Sequence, residues 1–308
     1  MLYDAYALNN VRVMNIGLKD TPEGKNLTFM PYRPSNNPAA FSDLSKRNPS
    51  SPQYFAEDFP VKNPIVFFFW VNEYLLFRSF NFFSYLRANY PGCKLVCWIT
   101  NPAHQYPMFA EKSSVKEFVD TFDCVLTYNQ IDAIDYALTY FENPHSVLPF
   151  EQKKEEFDVF FVGRPKDRLE KILRAYERFK TAGLTCNFYI NDIHNPPFVP
   201  GIHFNQFLRY KEVVNHILRS RAVLDISQQG TYGLTVRYFE SLAYNKNFIT
   251  DNAFYRQERF RSPKLFLIDR SLEIDKEQFM SAAKLSSNYR NEYSPLRMIS
   301  FLESLLNS

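Results

Sequence analysis

Clustered cysteines, paired histidines and net charge are what this chain lacks, and each lack removes a class of function. Four cysteines, at positions 93, 97, 124 and 186, form neither a zinc pattern nor a disulfide framework. Reduced thiols of a cytosolic protein are the expectation. The five histidines (104, 145, 194, 203, 216) contain no H-x-x-H or HExxH arrangement, so each is read as a packing or surface residue before a ligand. Lys and Arg number 36 against 33 acidic residues, and the resulting +3 is spread along the chain. That is too weak for a nucleic-acid footprint. The longest apolar run, residues 65–71, is too short to span a bilayer. The start, MLYDAYALNNVRVM, has neither the basic nor the apolar region of a secretory signal. There is no G-x-G-x-x-G, no G-x-x-x-x-G-K-[ST] and no G-x-S-x-G. Nicotinamide, P-loop and serine-elbow chemistry are therefore not expected.

What is present is core-forming material, with 45% hydrophobic residues. With 31 Phe and 20 Tyr, a single aromatic says little about function. A chain of 308 residues suits two domains. A first strand is expected near residues 11–16, then an irregular excursion over 21–62 where prolines recur. The run 65–70 reads as a strand buried on both faces. A helix over 75–90 is broken by Pro91-Gly92, and a strand follows at 94–99. A short helix at 115–122, a strand at 124–126 and a helix at 131–141 complete the first half. After a charged linker at 145–156 the alternation restarts. Strands are expected at 158–162 and 185–190 and helices at 167–181 and 207–219, with a Pro-rich loop at 191–204. A last strand falls at 264–268, and Ser294-Pro295 opens a terminal helix. The expectation is an α/β protein of two Rossmann-like doubly wound domains facing a cleft. The domains span 1–150 and 151–290, and residues 291–308 form a helix that packs back across them.

Residues 221–251, RAVLDISQQGTYGLTVRYFESLAYNKNFITD, organise the second half. They read as strand, glycine-bearing loop, amphipathic helix and strand, with Asn245 as a left-handed stop. Such a loop brings backbone N–H groups and a helix start to one point, which favours an anion. Arg237 could add charge there, and Glu240 lies three residues on. Either Glu240 meets a ligand or it pairs with Arg237 at i, i+3. Asp225, inside the apolar strand, reads as a structural hydrogen-bond hub. The turn Gly163-Arg164-Pro165-Lys166 follows a strand, so Arg164 and Lys166 could neutralise a diphosphate. Glu73 and His104 follow strands of the first half and are candidate bases.

Four pieces resemble a known family. They are FDCVLTYNQIDAIDYAL (122–138), FDVFFVGRPKDRLEKI (157–172), VLDISQQGTYGLTVRYFESLAYNKNFITDN (223–252) and FRSPKLFLID (260–269). In this order they resemble bacterial glycosyltransferases of the GT-B type, found among capsular and lipopolysaccharide biosynthesis proteins. The third piece is the most specific. The family's usual Phe-Asp at the end of the strand before the Asp-Ala pair reads Tyr128-Asn129 here. The resemblance implies a nucleotide-sugar donor on the second domain and a glycan or lipid-linked glycan acceptor on the first. It implies transfer without a metal or cofactor, and no D-x-D motif is present. It places donor binding at Arg164, Lys166, Gly230, Gly233, Leu234 and Thr235, with Glu240 on the ribose; Gly163, Gln229 and Arg237, from the same two loops and helix start, complete the candidate donor-binding set.

For the reaction, a base is needed if the configuration inverts, and Glu73, His104 and Asp58 stay open. A non-catalytic nucleotide-sugar-binding or polysaccharide-assembly protein of the same fold is the alternative. Partners are the donor and acceptor, with no nucleic acid and a place at the inner face of the membrane.

Overall fold

The computed structural model describes residues 66–78, 82–145, 147–148, 150–260, 262, 264–269, 271–282 and 293–306. The strand expected near 11–16, the excursion at 21–62 and Asp58 lie outside them. The chain divides into two α/β units. One comprises the described residues up to Glu142 together with those from Leu296 on, and the other is Asn143–Pro295.

In the first unit, strands β1 (Val66–Trp70), β2 (Lys94–Ile99), β3 (Cys124–Thr127) and β4 (Thr139–Tyr140) form a parallel sheet in that order. Alternation along β2 sends Leu95, Cys97 and Ile99 to one face and Val96 and Trp98 to the other. The first face is covered by Val71 and Tyr74 of α1 (Val71–Phe77), Leu86 of α2 (Phe82–Asn89) and Phe118 of α3 (Lys112–Thr121). Rings of Tyr74, Phe109, Phe118 and Phe122 meet edge to face there. The second face is covered by Met298 of α9 (Pro295–Ser304), so the terminal helix belongs to this sheet.

Two boundaries differ from expectation. The helix expected over 75–90 consists of α1, which begins directly after β1, and a separate α2. The helix expected over 131–141 is only α4 (Gln130–Asp135). Ala137 takes φ +53° and Leu138 N–H returns to Ala133 O at 3.0 Å. This frees the β-formers Thr139 and Tyr140 to pair with β3.

The second unit carries a six-stranded parallel sheet of order β10-β9-β8-β5-β6-β7. Its strands are β5 (Phe157–Gly163), β6 (Cys186–Ile190), β7 (Ile202–Phe204), β8 (Ser220–Asp225), β9 (Asn247–Thr250) and β10 (Leu265–Leu267). Val159 and Phe161 pack with Ile172, Ala175 and Phe179 of α5 (Leu169–Thr181). Phe160 and Val162 face Val213, Val214 and Ile217 of α6 (Tyr210–Leu218). One strand thus feeds a helical layer on each side, the doubly wound arrangement expected from the apolar runs. Helix α7 (Val236–Ala243) links β8 to β9, and Asn245 closes it at φ +57°. Two elements escape a periodicity reading. The Pro-rich loop ends in edge strand β7, and α8 (Lys276–Ser281) is a single short stretch capped by Asp275.

Candidate functional site

In chain order the second sheet winds outward from β5 through β6 to β7. The chain then returns beside β5 and winds the other way through β8, β9 and β10. The order reverses between β5 and β8, and open parallel sheets bind ligands beyond the carboxyl ends of the strands at such a point. A cavity of about 500 Å³ lies there, lined by Asp167, Arg168 and Lys171 after β5, residues 227–232 after β8, and Asp251 and Asn252 after β9.

The lining is held by internal bonds. Asp251 Oδ1 accepts from Ser227 N–H at 2.7 Å and from its hydroxyl at 2.9 Å, and Lys171 pairs with the same carboxylate. Asp167 accepts from Gln229 N–H at 2.9 Å. Arg168 donates to Ile226 O and, at 3.2 Å, to Arg164 O, tying the loops after β8 and β5 together. Gly230 takes φ +76°, where a side chain would strain the turn.

Of the residues predicted for the site, Gln229 and Gly230 line this cavity. Gly163, Arg164, Lys166, Gly233, Leu234, Thr235, Arg237 and Glu240 do not. Arg164 faces Asp192 at 3.8 Å instead, and Leu234 is buried in an aromatic cluster. The loop is also less open to an anion than its glycines suggest. The N–H groups of Ser227, Gln229, Thr231 and Thr235 are taken by Asp251, Asp167, Gln228 O and the Tyr255 hydroxyl. Asp167, Arg168, Lys171 and Asp251 were missed from sequence. The i, i+4 spacing of Asp167 and Lys171 after a strand-end turn was the available signal.

Glu240 takes the i, i+3 pairing with Arg237 that its spacing allowed. Its side chain is 0% exposed, and that of Arg237 is 14% exposed. Burial pushes the Glu240 pKa up, and the Arg237 charge opposes that. Beside this pair His145 lies 1% exposed, stacked on Phe239 at 6.0 Å. Burial and the nearby Arg237 charge push His145 down to about 3, so the ring is neutral.

Asp225 is the hub expected. Burial raises its pKa, with Arg168 and the bond from Thr235 opposing. Thr235 is the joint of the structure. Its hydroxyl donates to Asp225 Oδ2 at 3.0 Å and accepts from Tyr238 N–H at 3.4 Å as the N-cap of α7, while its own N–H reaches Tyr255. Thr235→Val keeps the shape and deletes the hydroxyl. We expect a loss of about 1–3 kcal/mol in urea unfolding, with most of it restored in Thr235→Ser.

In the first unit His104 is exposed on a 3₁₀ turn after β2. Glu73 lies in α1, and its side chain is outside the described set. Among the described residues no three His, Cys, Asp or Glu side chains gather as a metal site, and no helix is long and apolar enough to cross a membrane.

No family model and no curated protein matches the chain. Similar solved structures include an α-glucosyltransferase in complex with UDP and a 13-mer DNA (10% identity, 74% of this chain and 75% of that chain, TM-score 0.48). A candidate UDP-N-acetylglucosamine 2-epimerase from Listeria monocytogenes (11%, 86% and 79%, TM-score 0.49) and the spinosyn forosaminyltransferase SpnP (14%, 73% and 73%, TM-score 0.36) are further examples. The assignment of two Rossmann-like units rests on the strand order and layering of the chain itself.

Proposed function

We propose that the chain is a GT-B-type glycosyltransferase whose second unit holds a nucleotide-sugar donor in the cavity beyond β5 and β8. The observation that carries this reading is the position of that cavity. It sits where the strand order reverses, with Arg168 and Lys171 in its wall. A diphosphate there would draw Lys171 from Asp251, and Arg168 supplies a second positive charge. Charge stabilisation of the departing diphosphate is the largest demand glycosyl transfer makes on a protein. The acceptor is a glycan or lipid-linked glycan on the first unit, in surface polysaccharide synthesis at the inner face of the membrane. Transfer proceeds without metal or cofactor.

A thermal-shift panel of UDP-, GDP-, CMP- and dTDP-sugars tests the donor site. One nucleotide is expected to stabilise the protein, and Lys171→Met to weaken that binding about tenfold or more, or about 1.4 kcal/mol. No shift with any of the four overturns the donor reading. Binding without slow donor hydrolysis points to a non-catalytic protein of the same fold.

A further inference from the structure

The most exposed large apolar side chain among the described residues is Phe198, at 91%, in the Pro-rich loop between β6 and β7. Phe207, at 61%, lies in the segment between β7 and α6. The two residues flank β7, the edge strand of the second sheet, and neither lines the donor cavity. Their exposure is built into the loop. Tyr176 Oη of α5 donates to Pro200 O at 2.8 Å, and Gly201 takes φ +86°, where a side chain would meet the Tyr176 ring. Asn205 Oδ1 accepts from Ile193 N–H at 3.0 Å, and its Nδ2 donates to Ile193 O at 2.8 Å, which ties the two segments together. Residues 193–211, IHNPPFVPGIHFNQFLRYK, contain no acidic side chain, while Arg209 and Lys211 are exposed. The bracketing acids are engaged, Asp192 with Arg164 at 3.8 Å and Glu212 with the Arg209 N–H at 2.6 Å.

An exposed sheet edge invites another strand, but this one is blunted. Strand β7 has three residues, Pro200 upstream of it has no N–H, and Asn205 leaves it at φ +54°. Short edges and prolines are how sheets resist strand addition. The same features suit the boundary of a bilayer. Pro196, Pro197 and Pro200 bring no N–H groups that would need a partner where water is scarce. Exposed Phe rings gain from burial among acyl chains, and exposed cations without acidic neighbours draw anionic headgroups. An apolar signal and a basic signal together give reversible membrane binding. We propose that the β7 edge of the second unit docks on an anionic lipid surface. Phe198 and Phe207 insert at headgroup depth, and Arg209 and Lys211 meet the lipid phosphates. This names the surface for the membrane placement proposed above and rests on that reading.

The experiment mixes the whole chain with sedimenting vesicles of phosphatidylcholine, with or without phosphatidylglycerol. Wild type is expected to co-sediment with the anionic vesicles, less with the neutral ones, and less as salt rises. Phe198→Ser with Phe207→Ser should lower the partition coefficient about tenfold or more. Arg209→Gln with Lys211→Gln should lower it about tenfold on anionic vesicles alone. Melting temperature and the donor-induced thermal shift should be unchanged in both double variants, because all four side chains are exposed and outside the donor cavity. In Phe198→Trp, indole emission should move to shorter wavelength on anionic vesicles. Failure of wild type to co-sediment, or wild-type partitioning of the Phe double variant, overturns the proposal. So does a wild-type dimer that Phe198→Ser dissociates in sedimentation velocity, which would make this edge an interface between copies. A donor shift without vesicle binding overturns the docking surface alone. Vesicle binding without any donor shift overturns the transferase reading alone.

Discussion

Glu240→Ala should be among the most destabilising single changes in the second unit, by about 3–5 kcal/mol in chemical unfolding. For a unit of this size that is roughly 6–20 °C in melting temperature. The reason is the asymmetry of a buried ion pair. Glu240 has no exposed surface and Arg237 is 14% exposed, so neither charge has bulk water to fall back on. Removing the acid leaves a guanidinium next to His145 and within α7, with its nearest counter-charge gone. Replacing both members by apolar residues of similar volume, Arg237→Met with Glu240→Leu, should recover most of the loss, because no charge is then stranded. Glu240→Gln keeps an acceptor for Arg237 and should lose less than Ala does. The same variant separates two roles for this residue. If Glu240→Ala folds with nearly wild-type stability but loses donor stabilisation in the thermal-shift panel, the ribose contact implied by the family resemblance is the right role. If stability falls as predicted and the residual folded protein still binds, the carboxylate serves to hold Arg237.

The two roles of Glu240 illustrate what sequence could and could not resolve. Its spacing from Arg237 was visible at i, i+3, and so was the alternative of pairing. Which one prevails depends on burial, and burial depends on residues far away in sequence, such as Tyr210 of α6, that close over the helix. The strands were legible because VFFFW, KLVCWI and FDVFFV are apolar runs whose two faces both need covering. The cavity was legible only in part. A glycine loop before a helix marks a turn, but the side chains that reach across it are set by the sheet's register. Lys171 meets Asp251 because β5 and β9 flank β8 and release their following segments on the same edge. Asp132 stood in the sequence within the Asp-Ala pair of the first matched piece. Its burial comes from the loop after β2, 29 residues upstream, closing on it. Local periodicity carries no information about such a meeting. The same holds for β4 and β7, two- and three-residue strands whose only support is a neighbour.

His145 should dominate the acid sensitivity of the second unit. Both ring nitrogens are buried and lack hydrogen-bond partners among the described residues, and the ring stacks on Phe239. Protonation would put a second positive charge beside Arg237 in a buried site, so the folded-state value falls to about 3 from 6.5. The sign follows from linkage. Below 6.5 the unfolded chain takes up a proton that the folded chain refuses until about pH 3. Stability contributed by neutral His145 is therefore complete above 6.5 and is lost as pH falls through that window. At about 1.4 kcal/mol per unit, the loss is roughly 2 kcal/mol at pH 5 and on the order of 4–5 kcal/mol near pH 3. Asp225 and Glu240 act oppositely. Their values are raised by burial, so they favour folding as pH falls toward the ordinary carboxylate range and disfavour it as pH rises. The wild-type profile mixes these terms, and a variant isolates one of them. His145→Phe fits a stacked aromatic site and removes two unsatisfied polar atoms, so it should be near neutral or stabilising at pH 7. Measured against wild type in urea, its relative stability should grow by about 2 kcal/mol between pH 7 and pH 5. Parallel profiles for the two proteins would show that His145 finds a proton-accepting partner in the folded state, and that its neutrality is not what Arg237 requires.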